Sequence, residues 1–208
     1  MTEEEARARA TADVPRETVD RLDRYVTLLV SAARDQNLIA ASTLPTLWQR
    51  HILDSAQLIP LAPSEADPWL DVGSGAGLPG LVVAILRPRA MILIEPRARR
   101  AAFLSEAVAA LGLERQVTVI AGRAETAPPA AAAVISARAV AGLDALLAMG
   151  VRHARPDTRW LLPKGRSAAM EVAAARATWQ GEFQLVPSVT DSQAAIIVAT
   201  NVRPGKRR

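Results

Sequence analysis

The chain has 208 residues, of which half are hydrophobic, and 25 basic residues against 21 acidic ones give a net charge of +4. This length and composition suit one domain of ordinary size and exclude global disorder. Because the chain has no cysteine, disulfides, thiolate metal sites and cysteine nucleophiles are excluded. His51 and His153 are the only histidines, so we also expect no metal site built from several histidines.

The chain contains no apolar run of about 18 residues, the length that a membrane-spanning helix needs. Its first residues are charged and lack the apolar core of a secretory signal. We therefore expect a cytoplasmic protein with no membrane partner, and we take a monomer as its oligomeric state.

Residues 1–60 predict a helical extension at the N-terminus. Apolar residues at three- and four-residue spacing indicate an amphipathic helix over 16–36. A second helix is predicted over 43–59, with Thr43 as its N-cap and Pro45 in its first turn. Prolines at 60, 63 and 68 then mark a boundary. We expect the extension to pack on a core domain at 61–208.

The core domain alternates strands with helices. Strands are predicted at 69–72, 91–95, 117–121, 133–137, 160–163, 183–186 and 195–200, and helices at 78–86, 97–111, 141–154 and 166–178. This alternation predicts a doubly wound, mostly parallel α/β sheet. No helix separates the last two strands, so the final strand should run antiparallel. Seven strands that end in such a hairpin are typical of the Rossmann-like fold of S-adenosylmethionine-dependent methyltransferases.

The first predicted strand leads into a glycine-rich loop. The run Asp71-Val72-Gly73-Ser74-Gly75-Ala76-Gly77-Leu78-Pro79-Gly80 joins this strand to a helix. Glycines let the backbone turn tightly and let a ligand approach closely, and the helix start offers free amides. Glu95 ends the second strand, where an acid accepts hydrogen bonds from ribose hydroxyls. The pattern predicts a nucleotide-type cofactor.

A nicotinamide dinucleotide would use the same features, but three points favour S-adenosylmethionine. Asp71 precedes the glycines, where an acid meets a cationic methionine group directly or through water. The loop has a tight G-x-G-x-G form, and the terminal hairpin belongs to the methyltransferase sheet. After the third strand, backbone amides near Ala124 and the Glu125 side chain are placed to address an adenine.

The fourth strand ends in Ser136-Ala137-Arg138-Ala139 and lacks the Asn/Asp-Pro-Pro-aromatic run of amino-methylating enzymes. Methylation of cytosine C5 would need a cysteine. A guanine N7 acceptor has a free lone pair and no proton, so catalysis reduces to alignment without a general base. Arg138 is the candidate for guanine O6 or a phosphate. Lys164, after the fifth strand, should lie at the same edge of the sheet.

Basic residues are concentrated at 87–100, 152–176 and 203–208, whereas residues 1–25 are rich in acids. Concentrated positive charge favours a polyanionic partner, although solvated surface accounts for most such clusters.

Taken together, these motifs resemble the bacterial small-subunit rRNA guanine-N7 methyltransferase family, also called glucose-inhibited division protein B. The matching pieces are Gln36-Asn37-Leu38, Arg50-His51-Ile52-Leu53-Asp54-Ser55, Asp71 through Gly80, Arg123-Ala124-Glu125, Ser136-Ala137-Arg138-Ala139 and Leu162-Pro163-Lys164-Gly165. Gln36, Ala137 and Pro96 depart from the usual family pattern.

The resemblance implies S-adenosylmethionine-dependent methylation of one guanine N7 in 16S rRNA, in the hairpin loop near the decoding centre, with 16S rRNA or the 30S subunit as partner. It implies cofactor contacts at Gly73, Leu78, Ala124, Glu125 and Arg138. It also makes His51 part of one wall of the acceptor pocket.

Three other hypotheses stay open at this point. A small-molecule methyltransferase would use the same cofactor without binding RNA. A non-catalytic RNA-binding module would keep the fold without the cofactor. An oxidoreductase that uses a nicotinamide cofactor is the most distant of the three.

Overall fold

Seven strands form one sheet in the order β3-β2-β1-β4-β5-β7-β6. The computed structural model describes residues 1–12, 14–64 and 67–205. The first five strands are parallel, whereas β7 runs antiparallel to both β5 and β6. This confirms the predicted doubly wound sheet and its closing hairpin. The strands are β1 (Trp69–Val72), β2 (Met91–Glu95), β3 (Val117–Ala121), β4 (Ala132–Ser136), β5 (Ala154–Lys164), β6 (Trp179–Pro187) and β7 (Ala195–Pro204).

Helices cover both faces of the sheet, as a parallel sheet requires. Buried residues of α2, α4 and α5 share one apolar cluster with one face, and those of α6 and α7 share a second cluster with the other face. The helices are α1 (Glu3–Ala10), α2 (Arg16–Asp35), α3 (Asp54–Ala56), α4 (Gly80–Leu86), α5 (Ala98–Ala110), α6 (Leu143–Gly150) and α7 (Ala168–Ala175).

The prediction of one helix over 43–59 is wrong. The chain forms a 3-10 turn (Ala41–Thr46), a π turn (Trp48–Leu53), the short α3 and a 3-10 turn (Ile59–Leu61). Pro45 lies inside the first turn and has no amide to donate. Thr43 is not an N-cap, because its hydroxyl lies 2.6 Å from the carbonyl of Ala40. We call residues 41–61 the helical segment.

A side chain of helix α1 supports the start of the π turn at Trp48. The Glu3 carboxylate accepts hydrogen bonds from the amides of Trp48 at 2.7 Å and Gln49 at 3.0 Å. An acid from another helix thus satisfies amides that lack a partner within the π turn. No helix was predicted over residues 3–10, although Thr2 and Glu5 form a capping box, a pattern that signals a helix start.

The N-terminal helices pack on the sheet as part of its core. Leu22, Tyr25 and Leu29 of α2 are fully buried in the same apolar cluster as Leu81 and Leu93. The division into an extension at 1–60 and a core domain at 61–208 stays a prediction. No helix in the described parts of the chain is long and apolar enough to cross a membrane.

The basic segments of the sequence do not share one edge of the sheet. Arg89 precedes β2 and therefore lies at the amino edge, whereas Arg97 and Arg100 follow β2 at the carboxyl edge. Arg155 and Arg159 lie in the first half of β5, at the amino edge. Lys206, Arg207 and Arg208 of the predicted basic tail lie outside the described residues.

Candidate active site at the carboxyl edge of the sheet

The predicted site residues come from loops at one edge of the sheet. β1 and β4 are neighbours at the centre, and the chain winds outward from them in both directions. The carboxyl ends of such strands form the crevice where doubly wound folds bind ligands. The glycine loop follows β1, Glu95 ends β2, Ala124 and Glu125 follow β3, Arg138 follows β4, and Lys164 ends β5.

Three glycines of the loop have a left-handed backbone, with φ of +68° at Gly73, +56° at Gly75 and +93° at Gly77. A Cβ at Gly77 would lie 2.8 Å from Leu81 Cβ, so packing alone requires this glycine. A Cβ at Gly75 would meet nothing closer than 3.8 Å. A Cβ at Gly75 would therefore make only ordinary contacts, with the Gly73 carbonyl oxygen and, at 3.9 Å, with Arg100 Nη1. Its left-handed backbone, rather than packing, favours glycine there.

Glu95 is a buried acid, 3% exposed, at the rim of this loop. Its carboxylate accepts hydrogen bonds from the amides of Gly75 and Arg97, both at 2.8 Å. Each carboxylate oxygen accepts two hydrogen bonds, so acceptor capacity remains on both. The geometry suits an acid that binds a pair of hydroxyl groups.

Asp71 is completely buried and its side chain points into the protein. The Ser136 hydroxyl lies 2.6 Å from one carboxylate oxygen, and the Gly80 amide donates to the other at 3.2 Å. Burial raises the pKa of Asp71 to about 6, and the hydrogen bonds from Ser136, Ser74 and Gly80 oppose that rise. The described contacts of Asp71 fasten the loop, the start of α4 and the end of β4 together.

The second predicted cofactor segment follows β3. Ala124 is buried, and its carbonyl accepts a hydrogen bond from the ring of His153 at 2.8 Å. Glu125 is exposed and pairs with Arg123 at 3.3 Å. Arg152 donates to the Glu125 carbonyl. His153 and Arg152, which follow α6, therefore fix the backbone of this segment.

His51, Arg138 and Lys164 line one cleft of about 460 Å³. The helical segment, the loop after β4, the end of β5 and the turn between β6 and β7 each supply a wall. The other lining residues are Leu38, Ile39, Arg50, Asp54, Ala139, Pro163, Gly165, Thr190, Asp191 and Ala194.

Arg138 is only 17% exposed and is held by the helical segment. Its Nη1 donates to Asp54 Oδ2 at 3.0 Å and to the carbonyl of Arg50 at 3.2 Å. Its Nη2 lies 3.2 Å from His51 Nδ1. A guanidinium has five N–H donors, so Nε and one proton of Nη2 remain for another partner.

These contacts define the form of His51. The Thr43 hydroxyl donates to the Ala40 carbonyl, so it accepts from His51 Nε2, which lies 2.8 Å away. His51 Nδ1 then carries the lone pair that accepts from Arg138. Burial, followed by the charge of Arg138, lowers the pKa of His51 to about 4. His51 is therefore neutral at pH 7, and both of its ring nitrogens are engaged.

Lys164 reaches the cleft but directs its charge to other partners. Its Nζ donates to the carbonyl of Ala141 at 2.6 Å and pairs with Glu171 at 2.8 Å. Glu171 also accepts from the Leu143 amide at 2.7 Å. Lys164 and Glu171 thus fix the loop between β4 and α6, the loop that carries Arg138.

The model of the family described as "GidB: rRNA small subunit methyltransferase G" matches residues 18–197. The chain belongs to this family. A relative named ribosomal RNA small subunit methyltransferase G, from Rhizorhabdus wittichii, is 49% identical over 98% of this chain and 95% of its own. A relative of the same name from Zymomonas mobilis is 45% identical over 94% of this chain and 91% of its own.

Family membership agrees with the fold seen in solved structures. A SAM-dependent methyltransferase from Aquifex aeolicus superposes with a TM-score of 0.59, 16% sequence identity, and coverage of 74% of this chain and 92% of that chain. At this identity the likeness concerns the fold alone. The predicted methyltransferase-type sheet with its N-terminal helices is thus confirmed.

Several residues that shape the site were missed or given no role in the sequence analysis. They bind backbone groups or other side chains that are distant in sequence, and they are Tyr25, Asp54, His153, Glu171 and Thr190. Tyr25 donates to the carbonyl of Ala76 at 2.8 Å and so ties α2 to the glycine loop. Asp54 lies within the motif Arg50 through Ser55, but only the folded structure shows that it accepts a hydrogen bond from Arg138. No group of three or more metal-binding side chains occurs among the described residues.

Proposed function

We propose that this chain uses S-adenosylmethionine to methylate N7 of one guanine in the decoding-centre hairpin loop of 16S rRNA. The observation that carries the proposal is the cleft at the carboxyl edge of the sheet that holds Arg138 and neutral His51. Val140, two residues after Arg138, packs against Gly73 of the glycine loop. The relatives' name, ribosomal RNA small subunit methyltransferase G, supports the substrate class.

The residues at the glycine loop fit the proposed cofactor. The part-exposed Gly75 and the buried carboxylate of Glu95 suit a ribose, and the fixed backbone at Ala124 and Glu125 suits an adenine. Gly73, Ser74, Gly77 and Leu78 complete the loop, and Asp71 supports it from below. When bound, S-adenosylmethionine supplies a methyl group on a positively charged sulfur and leaves as S-adenosylhomocysteine.

The acceptor side needs positioning groups and no base. Guanine N7 has a lone pair and no proton, so it attacks the methyl group in line once the ring is aligned. Arg138 keeps two N–H donors free, which suits guanine O6 or a phosphate oxygen. His51 is neutral with both nitrogens engaged, which agrees with a role in holding Arg138 rather than in removing a proton. Lys164 fixes the loop that carries Arg138.

The test is transfer of a labelled methyl group to 30S particles and to free 16S rRNA from a strain that lacks the gene. We expect label in N7-methylguanine after digestion, and we expect Arg138→Ala to lower transfer strongly, to a rate that single-turnover assays still measure, while it stays folded. Label in another nucleotide, or none, would refute the proposal. A salt titration of RNA binding that detects no complex would instead favour a small-molecule acceptor.

A further inference from the structure

Three distant parts of the chain meet at the side chain of Asp54. This residue belongs to α3, and its side chain is 18% exposed. One carboxylate oxygen accepts from Arg138, which follows β4, at 3.0 Å. The other accepts from the Thr190 hydroxyl and from Gln57 Nε2, both at 2.8 Å.

Thr190 belongs to residues 188–194, which we call the hairpin loop because they join β6 to β7. This loop is tied to the helical segment independently of Asp54. Gln49 donates to the Thr190 carbonyl at 2.8 Å, and the Val189 amide donates to Gln57 Oε1 at 2.9 Å. Thr190 is 9% exposed. The position of its hydroxyl group is therefore set by the backbone around it.

This arrangement restricts how the carboxylate of Asp54 can turn. Thr190 and Gln57 occupy one oxygen, so the other oxygen faces Arg138. A charge-assisted hydrogen bond between half-buried groups is stronger than one in open solvent. The guanidinium of Arg138 is thereby held with its free donors in one direction.

We propose that Asp54 is a positioning residue that orients Arg138 for the acceptor, and that the hairpin loop fixes Asp54 through Thr190. The inference rests on the proposed function, because it gives Arg138 its role at the acceptor. The terminal hairpin, which is remote from the glycine loop in sequence, would then help to position the RNA acceptor.

The test is a double-mutant cycle of Asp54→Asn and Arg138→Ala. Asparagine has nearly the same shape, but its amide group would turn a donor toward Arg138 or give up its hydrogen bonds to Thr190 and Gln57. We expect Asp54→Asn to lower kcat/KM for the RNA by about tenfold or more, with the affinity for S-adenosylmethionine unchanged. In the Arg138→Ala background, the same change should have no further effect. Independent, multiplying losses would overturn the inference.

Two further variants keep the test decisive. Asp23→Asn breaks an exposed pair with Arg7, which has a 2.6 Å contact, and should behave as wild type. Thr190→Val leaves the pair of Asp54 and Arg138 in place and removes only the hydroxyl. We expect Thr190→Val to cause a smaller loss of kcat/KM, and we expect no such loss when it is combined with Arg138→Ala. If Asp54→Asn does not fold, the Thr190→Val variant replaces it in the cycle. A Thr190→Val enzyme as active as the wild type would show that the hairpin loop does not help to position Asp54.

An NMR measurement separates failure of the inference from failure of the proposed function. Nitrogen-15 labelling resolves the guanidinium groups, and the Arg138→Ala variant assigns the signal of Arg138. We expect slowed rotation of this guanidinium in the wild type and free rotation in Asp54→Asn. Equal rotation in both would contradict the inference whatever the enzyme methylates, whereas absence of rRNA methylation by the wild type would contradict only the proposed function.

Discussion

A cation and a neutral imidazole share the cleft at the carboxyl edge of the sheet. Arg138 lies 3.2 Å from His51 Nδ1, and its charge adds to burial in lowering the pKa of His51. The histidine therefore serves as an acceptor for the guanidinium and adds no charge of its own. Such a pair can direct Arg138 toward an electron-rich base without placing a second positive charge beside it.

The shifted pKa values of two buried groups predict opposite dependences of stability on pH. The pKa of His51 is lowered from 6.5 to about 4, so the unfolded chain takes up a proton first and stability falls as pH drops from 6.5 to 4. The pKa of Asp71 is raised from 3.8 to about 6, so the unfolded chain loses its proton first and stability falls as pH rises from 4 to 6.

Urea unfolding of His51→Gln and Asp71→Asn between pH 4 and 8 checks both signs. The free energy of unfolding of His51→Gln, measured relative to the wild type, should increase as pH falls below 6.5. The same difference for Asp71→Asn should increase as pH rises from 4 to 6. Curves that run parallel to the wild type would show that these pKa shifts are absent.

Patterns local in sequence predicted much of this site, but not its connections. The positions of Arg138 and Lys164 followed from strand ends, and that of His51 from a family motif. The partners of these residues did not follow, because the Arg138–Asp54 contact joins positions 84 residues apart. Lys164 illustrates the difference, since its place at the cleft was predicted while its pairing with Glu171 was not.

At the scale of elements, the glycine loop combines two different demands on its residues. Gly77 is required by packing against Leu81, whereas a Cβ at the part-exposed Gly75 would make only ordinary contacts. Tyr25 of α2 holds the loop at the carbonyl of Ala76. The loop is thus held on its buried side and part-exposed at Gly73 and Gly75, as a cofactor site requires.

Substitution of Gly75 by alanine separates cofactor binding from backbone strain. Gly112 is a matched control, because it has a φ of +65° and a Cβ there would meet no atom within 4 Å. Gly75→Ala and Gly112→Ala should each lose about 1–2 kcal/mol of stability from the left-handed backbone. Calorimetry should show that only Gly75→Ala loses affinity for S-adenosylmethionine, by about tenfold or more. Equal affinities in the two variants would count against a cofactor above Gly75.

The helical segment shows where elements could not be predicted from the sequence. Its apolar spacing indicated one helix, but Pro45 and the carboxylate of Glu3 divide it into turns of different kinds. The sheet was predicted well because alternating apolar strands and helices are local signals. Glu3 of α1 accepts from the amide of Trp48, which lies 45 residues away in the sequence. No local sequence pattern contains such a contact.

At the scale of the whole molecule, several arginines of the basic segments hold the fold together. Arg100 donates to the Asn37 carbonyl at 2.8 Å, and Arg159 donates to the Leu61 carbonyl at 3.0 Å. Outside those segments, Arg24 of α2 donates to the Ala110 carbonyl at 2.6 Å. These bonds join the N-terminal helical part of the chain to the elements of the sheet and its helices, so the excess of arginine is partly structural. The helices, in turn, supply His51 and Asp54 to the cleft.

A crystal structure with bound S-adenosylhomocysteine would show whether one cleft brings the cofactor to Arg138 and His51. We expect ribose hydroxyls within hydrogen-bond distance of Glu95, the adenine beside Ala124, and the sulfur facing the cleft. Product bound away from the glycine loop, or a sulfur turned away from Arg138, would contradict this expectation.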